Sequence, residues 1–219
     1  MAYDYVRDPA EITRRSFAIV AAETELASLP PDMAQVARRL VHASGMTDIA
    51  AGLAWSPAAV AAGRAALAGG APVICDVAMV AAGIARHRLP AGNEVLVAVT
   101  AAAMGNSMGQ CMANSMSNRM APKTRCAAGM EAFADRLGGA VVAIGNAPTA
   151  LFRLLDLVEG SAPKPALVLG FPVGFVGAVE SKAALAANPV GLPFITLHGR
   201  RGGSAMAAAA LNAVILNEN

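Results

Sequence analysis

The chain has 219 residues, of which 56% are hydrophobic, 15% are charged and only 4% are aromatic. This apolar composition excludes extended disorder, and the length fits one domain or at most two. The 17 basic and 15 acidic residues nearly cancel, which argues against a protein that binds nucleic acid through a basic surface. No linker rich in Pro and Gly divides the chain, so we expect a single domain over residues 1–219.

We expect a cytoplasmic protein without a membrane span. A spanning helix needs about 20 mostly apolar residues, whereas the uncharged stretch 95–118 contains seven Asn, Gln and Ser residues. Residues 1–15 lack the apolar core of a signal peptide. The three cysteines show no CxxC spacing, which is typical of a reduced protein without a structural zinc site.

Helical patterns open the chain and then alternate with strand patterns. Asp8 is a candidate N-cap, because Pro9 follows it at the first helical position and Glu11 lies three residues after the cap. This first helix is predicted to end near Ala27. Further helices are predicted at residues 31–44, 56–69, 76–84, 124–137, 147–159, 176–187 and 204–215. Strands are predicted at residues 72–75, 94–99, 140–144, 166–169 and 193–197.

The strand patterns are continuous apolar runs rather than alternating ones, which is typical of parallel strands buried on both faces. Regular alternation of strand and helix implies right-handed crossovers. We therefore predict an α/β fold: a layered domain with a mostly parallel five-stranded sheet covered by helices on both faces.

The stretch 101–122 differs from the rest of the chain. Its five methionines recur at a spacing of four: Met104, Met108, Met112, Met116 and Met120. On a helix they would form a slowly drifting stripe, which is typical of a flexible apolar face packed on the body or on a partner. A thioether site for a soft metal such as Cu(I) and a mobile lid are the alternatives.

Ligands of open α/β sheets bind beyond the carboxyl ends of the strands. Residues 199–204 follow the last predicted strand and contain Arg200, Arg201 and three glycines just before a helix. This composition favours a ligand with several negative groups. The segment is not a Walker A motif, and no GxGxxG follows the first strand, so the sequence gives little support for a nucleotide site.

His42 is the histidine with the most suggestive neighbours, since Arg38 and Arg39 precede it on a predicted helix. It is either a structural helix-end residue or a group that acts on an anionic ligand. The spacing from His42 to His87 and His198 is unlike that of a metal cluster, and no HExxH motif is present. These residues alone indicate an α/β enzyme or binder for a polyanionic small molecule.

The chain resembles the precorrin-8X methylmutases of cobalamin biosynthesis over most of its length. The resemblance rests on segments such as Arg15-Ser16-Phe17-Ala18-Ile19 and Arg39-Leu40-Val41-His42-Ala43. The other matching segments are residues 5–8, 70–76, 89–95, 145–151, 172–177, 180–182 and 199–206. Many specific segments in the same order make this likeness strong, although no single segment would.

The resemblance implies an α/β homodimer whose active sites lie near the subunit interface. It implies a shift of a methyl group from C-11 to C-12 of precorrin-8X, giving hydrobyrinic acid, with His42 as proton donor or acceptor. Ser16, Arg39 and Arg125 occupy positions where the family contacts its tetrapyrrole substrate. An intramolecular shift of this kind needs no redox cofactor and no metal, so we expect neither.

The stretch 101–122 departs from the family pattern, which places a shorter and more polar link there. Two alternatives stay open at this point. The first is the cobalt-precorrin-8 methylmutase of the anaerobic route, and the second is a non-catalytic carrier of hydrobyrinic acid.

Overall fold

The computed structural model describes residues 3–101, 123–188 and 190–216. Six strands form one sheet: β1 (Leu53–Trp55), β2 (Val73–Cys75), β3 (Val95–Val97), β4 (Val141–Ile144), β5 (Leu167–Gly170) and β6 (Phe194–Leu197). Their order across the sheet is β1-β6-β5-β4-β2-β3. β1 is antiparallel to β6, and all other neighbouring strands are parallel.

The sheet is surrounded by helices α1 (Pro9–Glu23), α2 (Pro31–Ser44), α3 (Ala59–Ala68), α4 (Ala78–Ala82), α5 (Arg125–Ala132), α6 (Pro148–Glu159), α7 (Ala178–Ala187) and α8 (Ser204–Ile215). Short 3-10 turns lie at Thr47–Gly52, Arg86–Arg88 and Ala134–Arg136. The mostly parallel α/β fold predicted from the sequence is confirmed, and all five predicted strands belong to the sheet.

The prediction of five strands was wrong by one, because β1 was missed. Three residues are too few to show a strand period, and β1 is defined by its pairing with β6, in which Leu53 lies opposite Leu197. Helix ends also differ from the predicted ones. The first helix ends at Glu23 because Thr24 is extended, and α3 begins only at Ala59 because Ala58 has a φ of 59°.

Two cores lie on the two faces of the sheet, because alternate residues of each strand point to opposite sides. The strands β2, β4, β5 and β6 are buried at every residue. Residues of α2, α3, α4 and α8 share the first core, and residues of α5, α6 and α7 share the second. Helices on the first face therefore share no core with those on the second.

Close packing at Gly145 sets the start of α8 against the carboxyl end of β4. A β-carbon at Gly145 would lie 2.7 Å from Ser204 Cα and 2.8 Å from Val80 Cγ2. Any larger side chain would push α8 off the sheet. This contact positions the first turn of α8 beside the carboxyl ends of the strands.

The methionine stripe predicted within 101–122 lies outside the described residues. Within the residues that are described, no helix is long and apolar enough to cross a membrane.

Candidate active site

His42 lies in the last turn of α2, which ends at Ser44 and is capped by Gly45 in the left-handed conformation (φ 69°). The buried face of α2 follows helical spacing through Met33, Val36, Ala37, Leu40 and Val41. That stripe packs into the first core. It leaves His42 exposed at the flank of the helix and Arg39, three residues earlier, half-buried beside it.

Two residues of α1 contact the His42 imidazole. Ser16 Oγ lies 2.8 Å from His42 Nδ1, within hydrogen-bonding distance. The Phe17 ring stacks on the imidazole, with centroids 4.8 Å apart and ring planes 24° from parallel. The Arg39 guanidinium carbon lies 5.5 Å from the Phe17 ring centroid, which is cation–π distance. Ser16, Phe17, Arg39 and His42 thus form one cluster.

Two hollows meet at His42. The first, of about 410 Å³, lies between α1 and α2 and is largely aliphatic, with walls from Ile12, Ile19 and Val20 beside Ser16. The second, of about 290 Å³, lies between α2 and α8. Its lining is Arg39, His42, Ala43, Gly83, Ala205, Ala208, Ala209 and Asn212. Because His42 lines both, a ligand in either hollow can meet its imidazole.

A buried carboxylate occupies the anion position at the start of α6. Asp76, which follows β2, accepts hydrogen bonds from the backbone N–H groups of Gly145 (3.0 Å), Asn146 (2.8 Å) and Ala147 (2.8 Å). Burial raises the pKa of Asp76, and these three donors oppose that rise. Folds that bind nucleotides commonly place a phosphate at such a helix N-terminus. Here the protein's own side chain fills the place.

The loop 199–203, interpreted from the sequence as a polyanion site, is held in place by close packing, a hydrogen bond and an ion pair. A β-carbon at Gly202 would lie 2.3 Å from the Phe171 carbonyl oxygen. The buried Lys182 donates from Nζ to the Arg201 carbonyl oxygen at 2.5 Å, and burial lowers the pKa of Lys182 to about 8. The Arg201 guanidinium itself donates to both carboxylate oxygens of Asp48, at 2.8 and 2.7 Å. One of the two loop arginines is therefore held in an ion pair.

The structure brings together three of the four site residues predicted from the sequence, namely Ser16, Arg39 and His42. The fourth, Arg125, is the exposed first residue of α5. It lies on a helix of the second core, and no contact within the described residues joins it to His42. In the described part of the chain, no group of three or more His, Cys, Asp and Glu side chains could hold a metal ion.

Sequence reasoning gave no role to Phe17, Asp76 or Lys182. Phe17 adjoins Ser16 in a segment that matches the family, but an aromatic residue on an amphipathic helix carries no local sign of its partner. The partners of Asp76 lie 69 to 71 residues away along the chain.

The model of the family described as "Precorrin-8X methylmutase" matches residues 11–217, nearly the whole chain. The chain belongs to the precorrin-8X methylmutase family. It is accordingly an isomerase of cobalamin biosynthesis.

Individual relatives agree with this assignment. A precorrin-8X methylmutase from Pseudomonas aeruginosa is 52% identical over 218 residues, covering 96% of this chain and 97% of the relative. A cobalt-precorrin-8 methylmutase from Priestia megaterium is 34% identical over 207 residues, covering 94% of this chain and 87% of the relative. The crystal structure of a precorrin-8X methyl mutase from Thermus thermophilus superposes with a TM-score of 0.81 at 35% identity and covers 94% of both chains.

Proposed function

We propose that this enzyme moves the C-11 methyl group of precorrin-8X to C-12 to give hydrobyrinic acid, with His42 as proton donor and acceptor. The observation that carries the proposal is His42 itself, an exposed imidazole at the meeting point of two hollows. The proposal of a metal-free substrate is supported by the sequence identities of two relatives. The relative named for precorrin-8X is 52% identical and the one named for the cobalt form is 34% identical.

The reaction requires only two things of the protein, a group that gives and takes a proton and a binding site complementary to the substrate. The methyl group leaves one ring carbon and bonds to its neighbour within the same molecule, so no atom is gained or lost. A proton delivered by His42 polarises the conjugated system, and its return to His42 after the shift restores the resting state. Histidine suits this exchange because its ordinary pKa lies near neutrality.

The two hollows suit a broad ligand with charged edges. At about 410 and 290 Å³, the hollows lie at the lower end of the range for sites of drug-sized ligands, about 300–1,000 Å³. A tetrapyrrole with its carboxylate side chains is larger than such a ligand, so neither hollow alone holds a whole macrocycle. We propose that the macrocycle spans His42 from one hollow to the other. Arg39 lines the hollow between α2 and α8, where its guanidinium can bind a substrate carboxylate. Ser16 and Arg125 stay proposed substrate contacts on the family resemblance.

We propose that the enzyme works as a homodimer in which α1 meets a second copy. Of the 15 residues of α1, only Val20 is buried. Ile12 is 47% exposed and Ile19 is 55% exposed, and both line the hollow beside Ser16. A second chain over this face would cover the two isoleucines and exclude water from the site. We also propose a cytoplasmic location, because the two cysteines among the described residues, Cys75 and Cys126, form no disulfide.

The homodimer is tested by light scattering, with an expected mass of about twice the 22.0 kDa of one chain. Ile19→Arg should shift the mass towards one chain, because it places a charge in the covered face. Ala65→Arg, on the exposed surface of α3, should leave the mass unchanged. A wild-type mass of about 22 kDa at micromolar concentration contradicts the dimer.

The isomerase role is tested by incubation with precorrin-8X while the absorption spectrum of the product is followed. His42→Ala should fold normally and lose turnover by about a hundredfold or more, which is typical of losing a general acid–base group. His87→Ala is the matched control, because His87 is exposed in the 3-10 turn Arg86–Arg88. Turnover of His42→Ala within about threefold of wild type would rule out the acid–base role.

The same assay separates the other candidates. Equal or faster turnover of the cobalt-loaded substrate would favour the cobalt-precorrin-8 reaction instead. A carrier of hydrobyrinic acid would bind the product tightly, show no turnover and tolerate His42→Ala.

A further inference from the structure

We propose that Ser16 and Phe17 are positioning residues that hold the His42 imidazole so that Nε2 is the nitrogen presented to the substrate. This inference rests on the proposed proton transfer by His42. It gives the Ser16 hydroxyl a role at the histidine in addition to its proposed contact with the substrate, and it gives Phe17 a role in the reaction.

The Ser16 hydroxyl determines which ring nitrogen is free. At 2.8 Å from Nδ1, it either donates to that nitrogen or accepts its proton, and in both cases Nδ1 is engaged. The hydrogen bond at one nitrogen of an imidazole sets the state of the other. Within the described residues, His42 Nε2 makes no hydrogen bond, so this atom is the one left for proton exchange.

The Phe17 ring restricts the tilt of the His42 imidazole, which a single hydrogen bond leaves free. An imidazole held only at Nδ1 can still tilt about that bond, because the final side-chain torsion of histidine is broad. A ring stacked at 4.8 Å and within 24° of parallel restricts that tilt. Hydrogen bond and stack together allow one orientation of the ring, which is the preorganisation that proton transfer requires.

The seating of α1 supports the same assignment. Ser16 and Phe17 are half-buried, while the neighbouring Arg15 and Ala18 are exposed. With Val20, the one buried residue of α1, they form the side of the helix that faces α2. Ser16 and Phe17, which contact His42, therefore lie on the packed side of α1, and a displacement of α1 would release the imidazole.

The first test observes the ring itself by NMR, without any substrate. The chain has three histidines, so the His42→Ala spectrum identifies the His42 signals by difference. We expect the carbon-bound ring protons of His42 to show a ring-current shift that disappears in Phe17→Leu and is retained in Phe17→Tyr. We expect the Nδ1 resonance to move in Ser16→Ala and to return towards its wild-type value in Ser16→Thr.

The second test separates positioning from substrate binding. Ser16→Ala should lower kcat about tenfold or more, since small losses of alignment are costly, and this loss should exceed any rise in the Kd for hydrobyrinic acid. Phe17→Leu should lower kcat similarly and also raise the Kd, because Phe17 lies beneath Arg39. Ile19→Ala removes a wall of the hollow without touching the stack and should alter the Kd more than kcat.

The outcomes distinguish this proposal from the one on which it rests. If Ser16→Ala raises the Kd and leaves kcat unchanged, Ser16 acts only as a substrate contact and the positioning role is wrong. If Phe17→Leu and Ser16→Ala both keep wild-type kcat while His42→Ala has none, the positioning role is wrong and the function stands. If His42→Ala turns over like wild type, the proposed proton transfer fails and the positioning role fails with it.

Discussion

Removal of the Asp76 carboxylate should destabilise the fold more than any other single change to a carboxylate that the described structure offers. Asp76 is fully buried and joins the end of β2 to the start of α6 through three backbone N–H donors. In Asp76→Ala those donors lose their acceptor. An unsatisfied buried donor costs about 1–3 kcal/mol, and water entering the vacated space recovers part of that cost. We therefore expect a loss of about 3–6 kcal/mol in the free energy of unfolding.

Asp76→Asn is the graded comparison. One amide oxygen can replace Oδ2, which accepts from Asn146 and Ala147, but the amide NH₂ then faces the N–H of Gly145. One hydrogen bond is lost and two donors oppose each other, so the expected loss is about 1–3 kcal/mol. The destabilisation should thus rank Asp76→Ala above Asp76→Asn.

Urea unfolding followed by circular dichroism measures both variants. Asp135→Ala is the control, because Asp135 is exposed and surface substitutions usually change stability by less than about 0.5 kcal/mol. Formate should raise the unfolding midpoint of Asp76→Ala and leave wild type unaffected, since it can occupy the vacated anion position. A loss below about 1 kcal/mol in Asp76→Ala would refute this account of the site.

Two further predictions concern Arg39 and Lys182. Arg39→Ala should raise the Kd for hydrobyrinic acid by about 10- to 100-fold, because one charge-assisted hydrogen bond is lost. Arg38→Ala should leave the Kd nearly unchanged in the same absorbance titration. Equal Kd values for Arg39→Ala and wild type would show that Arg39 has no role in binding. Burial lowers the pKa of Lys182 from 10.5 to about 8, so the cost of burying its charge is present in full below pH 8 and disappears as the pH rises towards 10.5. The free energy of unfolding of wild type should therefore rise across that range by about 3 kcal/mol relative to Lys182→Met, and parallel pH profiles of the two proteins would contradict it.

The sequence predicts the interior of the sheet well, because a strand buried on both faces must be apolar at every residue. Runs such as 140–144 and 166–169 therefore show their position locally, and the strands they predict were confirmed as β4 and β5. The edge strand β1 has no such signature. Its three residues become a strand only through hydrogen bonds to β6, which lies about 140 residues later in the chain.

The site divides in the same way. A helix turns about 100° per residue, so the sequence predicts that Arg39 and His42 share a face, and both line the hollow between α2 and α8. The contacts of His42 with Ser16 and Phe17, some 25 residues away on another helix, follow from how α1 packs on α2. Helical periodicity states which residues of one helix lie together, but it carries no information about the distance to a second helix.

The sequence by itself therefore determined the fold class and the family, and it pointed to the histidine at the centre of the candidate site, since each of these depends on local patterns or contiguous motifs. Only the tertiary structure decided which nitrogen of that histidine is engaged. It also decided that Asp76 fills the anion position at α6 and that Arg201 is committed to Asp48. These contacts join segments far apart in the chain, and their energies depend on distances of a few ångströms that packing alone sets.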